Sequence, residues 1–151
     1  MAESLKNILL DPSRRPAVVE DLTKLVDAEV GDKSGVSGLA VKGGYAVLKK
    51  INSGFVPDAV DGMLDDFVNR MEPYYAEYAA NPSGSLANFL TANGSDVADA
   101  LLGVTDDRAE NSRRDSVKKV YAKLRPQGKK HVEEALPRLG DVISSHAAAA
   151  V

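Results

Sequence analysis

The sequence has no cysteine, no tryptophan and only two histidines. Without cysteine, a disulfide framework and every thiolate metal site are excluded. A Ser–His–acid set would have to use His131 or His146, and no G-x-S-x-G nucleophile motif is present. His131 and Glu134 make one His-x-x-Glu pair, but a di-iron bundle needs paired Glu-x-x-His motifs with further glutamates. No catalytic residue, metal site or cofactor is therefore expected. No apolar run approaches the roughly 20 residues of a membrane-spanning helix. The opening Met1-Ala2-Glu3-Ser4 is polar and acidic, unlike a secretory leader, so the cytoplasm is the expected location. No segment alternates like a strand between turns, and no fixed-period repeat is visible.

What is present fits one domain. A chain of 151 residues buries enough surface to fold without staples, roughly 68–70% of the unfolded total. Aromatic residues are only 5% of the composition, so the core must be built from aliphatic and small side chains. The net charge of −3 conceals a separation of sign. Residues 51–112 hold eleven acidic and two basic residues, whereas residues 113–130 hold eight basic and one acidic.

Helical periodicity dominates. Ser4 caps a short helix with Leu5, Ile8 and Leu9 on one face, and Asp11-Pro12-Ser13 ends it. Pro16 suits the first turn of a second helix, with Val19, Leu22, Val26 and Val30 in phase and Gly31 at its end. Pro57 and Asp58 open a helix whose apolar residues Val60, Leu64, Phe67, Met71, Tyr74 and Tyr78 step by four and three in turn. That is a coiled-coil-like seam under three heptads long, and Pro73 should kink it. Asn81-Pro82-Ser83-Gly84 stops the chain before a short helix with Leu86, Phe89 and Leu90 inside. The next helix turns Val97, Ala98, Leu101 and Leu102 inward, and Asp106 to Arg114 reads as a polar connection. Val117, Val120, Tyr121 and Leu124 form the expected inner face of a further helix, which Pro126 interrupts. Val132, Leu136, Leu139 and Ile143 carry the last helical pattern, kinked or broken at Pro137. The expectation is an all-α, single-domain irregular bundle of about seven helices, some kinked at proline. The helical domain spans 1–146, and an Ala-rich tail at 147–151 should fray.

Residues 31–54 hold six of the twelve glycines, yet keep a helical apolar period. Each interior glycine costs about 0.5–1 kcal/mol relative to alanine, which packing must offset. Two readings follow: a central helix whose small face admits a neighbour's backbone, or a groove for an apolar ligand beside Ala40, Gly43, Gly44 and Val47. A third is membrane contact, with Lys42, Lys49 and Lys50 flanking the apolar face.

Two further clusters are candidate interaction sites. Arg113, Arg114, Lys118, Lys119, Lys123, Arg125, Lys129 and Lys130 could dock an acidic protein, a nucleic acid or an anionic lipid surface, or be neutralised within the chain. A dedicated nucleic-acid face usually carries stacking aromatics or a motif, and only Tyr121 is near. The acidic run Asp58, Asp61, Asp65 and Asp66 is its natural complement. Tyr74, Tyr75 and Tyr78 could form a self-association patch or belong to the core edge.

Several stretches together resemble a family of uncharacterised actinobacterial small helical proteins, a domain of unknown function. They are Met1 to Lys6, Leu10 to Arg15, Leu25 to Val30, Asp32 to Gly38 and Lys130 to Pro137. The resemblance implies a compact helical fold and an actinobacterial cytoplasmic setting, and transfers no site. The expected function is a non-enzymatic protein-interaction module. Its alternative is a carrier of an apolar or lipid-like ligand beside the Gly-rich helix, with nucleic-acid or anionic-surface binding through residues 113–130 third.

Overall fold

In the computed structural model, two of the helices begin where a serine supplies an oxygen for the first free amides. Ser4 Oγ accepts from the Asn7 amide at 3.1 Å, and Ser85 Oγ from the Asn88 amide at 3.1 Å. The structure describes residues 4–32, 35–51 and 54–149. Seven helices occupy them: α1 (Leu5–Leu9), α2 (Arg15–Asp32), α3 (Gly35–Ile51), α4 (Phe55–Ala80), α5 (Leu86–Ala92), α6 (Gly94–Glu110) and α7 (Asp115–Ala149). No strand occurs among the described residues. The fold is the expected all-α bundle.

The two long helices, α4 and α7, organise the rest. Helices α1, α2, α5 and α6 each pack on both of them, and α4 and α7 have little direct contact with each other. Helix α3 packs on α2 and α4 at the side of the bundle. Leu5 and Ile8 of α1, Leu64 and Val68 of α4, Leu90 of α5, Val97 of α6, and Leu136 and Ile143 of α7 are buried. Each such side chain stabilises the fold by roughly 1.5–3 kcal/mol relative to exposure. A five-residue helix such as α1 has no stability of its own. It is fixed by Glu72 of α4, whose carboxylate accepts from the Leu5 amide at 2.8 Å and the Lys6 amide at 3.2 Å.

Helix α7 departs from expectation in three places. It runs unbroken for 35 residues through Pro126 and Pro137. An interior proline costs about 3 kcal/mol. Tertiary packing offsets it here: Arg125 is tied to α6 beside Pro126, and Leu136 is buried beside Pro137. The end expected to fray stays helical to Ala149. The Arg14 guanidinium donates to the carbonyls of His146 (3.2 Å) and Ala149 (3.0 Å) in the last turn described. His146 is buried, with Nε2 2.7 Å from an Asp21 carboxylate oxygen. Ala150 and Val151 lie outside the described residues. Lastly, Val120 and Leu124 were expected to face inward and are each 57% exposed. The first half of α7 meets α6 through the Tyr121–Arg125–Lys129 edge, so the neighbouring apolar stripe is left uncovered. The side chain of Val117 lies outside the described part.

The close helix approach expected along the small face of α3 is not made at Gly43 or Gly44, and a clear case of it lies on α7. A Cβ on Gly43 or Gly44 would meet nothing within 4 Å. On Gly140 of α7 it would lie 2.5 Å from the Ala87 Cα and 2.6 Å from its amide nitrogen. Gly140 is thus where α5 presses backbone-to-backbone on α7. Gly140→Ala is expected to lower the melting temperature by several degrees, since overpacking costs about 1–3 kcal/mol and 1 kcal/mol shifts a domain of this size by roughly 2–4 °C. Gly43→Ala should raise it by a similar 2–4 °C through helix propensity of about 1 kcal/mol. Thermal melts followed by circular dichroism decide it, and an unchanged Gly140→Ala melt would refute the close approach.

Candidate functional site

The coiled-coil-like seam on α4 borders a cavity. Its residues Val60, Leu64, Phe67 and Met71 face a cavity of about 500 Å³. The last apolar stripe of α7, Val132, Leu136, Leu139 and Ile143, forms the opposite wall. Leu22 and Val26 of α2, Leu101 and Leu102 of α6, and Leu5 and Leu9 of α1 complete the lining. The cavity follows from the architecture: α4 and α7 are propped apart by the helices that bridge them. It is partly open to solvent.

Of the lining side chains, only Tyr45 and Thr105 carry an oxygen, and both oxygens are engaged by the protein. The Tyr45 hydroxyl donates to the Asp27 carboxylate, and Lys49 Nζ lies 3.3 Å from the same carboxylate and 5.3 Å from the Tyr45 ring centre. Burial first, and Asp27 second, push the Tyr45 hydroxyl up to about 12. Asp27 is held below its ordinary value, chiefly by the tyrosine hydroxyl and then by Lys49. Thr105 Oγ1 donates to the Leu102 carbonyl at 2.9 Å and lies 2.8 Å from the Tyr121 hydroxyl. Among the described residues, the cavity therefore offers hydrocarbon contact with no charge and no free polar anchor.

Three of the residues singled out for an apolar ligand, Gly43, Gly44 and Val47, are exposed and do not line it; among the described side chains of α3, Tyr45 reaches the cavity. The side chain of Ala40 lies outside the described part. The uncovered face of α3 also holds Leu39 (69% exposed) and Ile51 (78%). On α4, Ala59 and Met63 join the predicted seam on the wall, as Ala135 and Val142 do on α7. Their signal in the sequence is an apolar face wider than a two-residue seam.

The basic cluster divides in two. Arg125 donates to Asp106 at 2.7 and 2.9 Å and lies 3.5 Å from Asp99. Lys129 reaches Asp99 at 3.0 Å and Ser95 at 2.9 Å. These two cations clamp α7 to α6. Arg113, Arg114, Lys118, Lys119, Lys123 and Lys130 are exposed and make no ion pair among the described residues. The acidic face of α4 is answered from other helices. Asp61 and Asp65 are bound by Arg15 of α2 at 2.7 and 3.0 Å. Asp66 lies 3.9 Å from Arg108 of α6.

Tyr74, Tyr75 and Tyr78 are half-buried against the core. The Tyr78 hydroxyl donates to the Gly84 carbonyl at 2.9 Å, and its ring sits 5.6 Å from that of Phe89 at a tilt of 54°. Burial pushes the Tyr75 hydroxyl above its ordinary value. His131 Nδ1 is buried without a hydrogen-bond partner. No group of three histidine or acidic residues placed to hold a metal occurs among the described residues. No helix among them is long and apolar enough to cross a membrane.

Fold and site together define an all-α bundle built around an apolar cavity. A family model described as a family of unknown function (DUF6918) matches residues 5–147, and the chain belongs to that family. No curated protein and no solved structure matches it.

The Arg125 clamp sets an acid limit on stability. Asp106 is held below its ordinary value, first by the Arg125 hydrogen bond and then by the Tyr121 hydroxyl. Asp99 is lowered by Lys129 and Asp65 by Arg15. A carboxylate depressed in the folded state stabilises it above the unfolded value near 3.9, and that contribution is lost as pH falls through the folded value. Stability against urea is expected to be level from about pH 5 to 8 and to fall steeply below about pH 4. In Asp106→Asn that acid slope should be shallower; an equal slope would rule out this carboxylate as a contributor.

Proposed function

We propose that the chain binds an apolar, lipid-like ligand in the cavity between α4 and α7 and acts as a non-enzymatic carrier. The observation that carries the reading is the cavity itself, about 500 Å³ and lined almost wholly by hydrocarbon. Small-molecule sites fall between about 300 and 1,000 Å³. An apolar cavity of about 150 Å³ already stays dry and accepts benzene or xenon. A hydrocarbon occupant needs no polar partner inside. A carrier located in an actinobacterial cytoplasm accords with this reading and with the family resemblance.

Protein interaction is the second reading. It is favoured by the exposed apolar face of α3, where Leu39, Val47 and Ile51 follow one another at multiples of four residues. That face, more than the half-buried tyrosines, would take a partner or a second copy.

Ala135→Phe tests the carrier reading, because the larger ring projects into the cavity from α7. Binding of a fluorescent fatty acid in the low micromolar range is expected for the parent and at least tenfold weaker binding for the variant. The variant's melting temperature in the absence of ligand should be equal or higher, since the ring fills empty volume. A parent that neither takes up the probe nor co-purifies with an extractable apolar molecule in native mass spectrometry would overturn the carrier reading.

A further inference from the structure

The exposed apolar pair on α7 is in register with the cavity wall. From Val120 the stripe runs to Leu124, Gly128, Val132, Ala135, Leu139 and Val142, in steps of four or three. The last four line the cavity, while Val120 and Leu124 stand in solvent. One helix face therefore leads from the interior of the bundle to its outside. Projected at 100° per residue, Lys119, Lys123 and Lys130 lie on one border of the exposed pair, on the side away from α6. None of the three makes an ion pair among the described residues, whereas Arg125 and Lys129 on the opposite edge are consumed by Asp99 and Asp106.

We infer that the first half of α7 docks on an anionic lipid surface, with Val120 and Leu124 entering the boundary of headgroups and acyl chains and Lys119, Lys123 and Lys130 meeting the phosphates. The chemistry favours this occupant over others. Apolar residues bordered by flexible, snorkelling lysines are the arrangement of an interfacial helix. Nucleic acid would use the lysines and leave the apolar pair in water. A second copy would bring the lysine borders of two chains together. The sign separation also orients the approach: six free cations sit at this end, while the acidic residues of α4 and α6 are largely paired. The apolar track along α7 would then give a hydrocarbon chain a route between bilayer and cavity. Only this route rests on the carrier reading; docking does not.

The test uses the intact chain and two kinds of vesicle, phosphatidylcholine alone and an equal mixture of phosphatidylcholine and phosphatidylglycerol. Co-sedimentation with the mixed vesicles alone, weakening as salt is added, is expected. Lys123→Ala should bind about fivefold more weakly, and the triple change Lys119→Ala, Lys123→Ala, Lys130→Ala on the order of a hundredfold. Val120→Ser with Leu124→Ser should weaken binding at an unchanged melting temperature, because both side chains are already exposed. Ala135→Phe should lose the fluorescent fatty acid and still dock. Equal binding to both vesicles, no binding to either, or a triple-lysine variant that binds like the parent would each overturn the proposal. So would loss of docking in Ala135→Phe, which would mean that vesicles are held through the cavity. Capture by duplex RNA without vesicle binding would replace it with a nucleic-acid site. A dimer abolished by Val120→Ser, again without vesicle binding, would replace it with self-association.

Discussion

Everything in this fold depends on two long apolar stripes that face each other without closing. Helices α4 and α7 each present a seam suited to a partner helix, and four shorter helices pack on both and hold them apart. Closing the gap would require α1, α2, α5 and α6 to leave their places. Those places are fixed at backbone level: Glu72 holds the first amides of α1, and Gly140 lets α5 sit against α7 at a separation that excludes a Cβ. The cavity is thus a consequence of rigid props. Interiors normally pack at crystal-like density, so a cavity of this size needs either an occupant or such a frame to persist.

The polar contacts show the same division of labour. Arg15, Arg70, Arg125 and Arg138 each join two helices, and Arg14 ties the turn before α2 to the end of α7. Arginine suits that role because its planar fork can hold two acceptors at once. Arg15 spans Asp61 and Asp65, and Arg125 spans Asp99 and Asp106. Lysines 118, 119, 123 and 130 have no such partner among the described residues and stand in water. What reads in the sequence as one basic block is therefore two populations, one structural and one free. Such exposed pairs contribute modestly one by one, typically under 1 kcal/mol. Their value here is to fix which helix lies against which.

Much of this was legible in the sequence. The helices, the cap at Ser4, and the apolar stripes of α1, α4, α5, α6 and the end of α7 follow from periodicity and turn chemistry. The cavity was not legible, because a stripe facing a hole and a stripe facing a core have the same spacing. Val60, Leu64, Phe67 and Met71 read as core, and core-like residues are what an apolar cavity requires. Gly43 and Gly44 of α3 differ from their sequence pattern for a related reason. A run of glycines signals close approach, yet a single Gly140 in an ordinary helical pattern makes it. Long-range ties were also invisible: nothing local says that Arg14 will finish a helix that ends at Ala149. Nor does a proline in isolation reveal whether tertiary packing will carry a helix through it.

The stripe of α7 links the two proposals about function. Its period does not change between residues 120 and 142, but its surroundings do: neighbours and cavity at one end, solvent at the other. Selection for the chain's own core would need apolar residues only where other helices stand. Two large apolar side chains beyond that point weaken solubility and add nothing to the packing of an isolated molecule. Their continuation in phase makes sense when the partner of the helix face also continues, as an apolar phase that the chain meets from outside. Under the proposed carrier and docking readings, the cavity and the helix face that runs out of it toward the exposed lysines would be two parts of one device, the first for holding a hydrocarbon and the second for meeting the surface that supplies it.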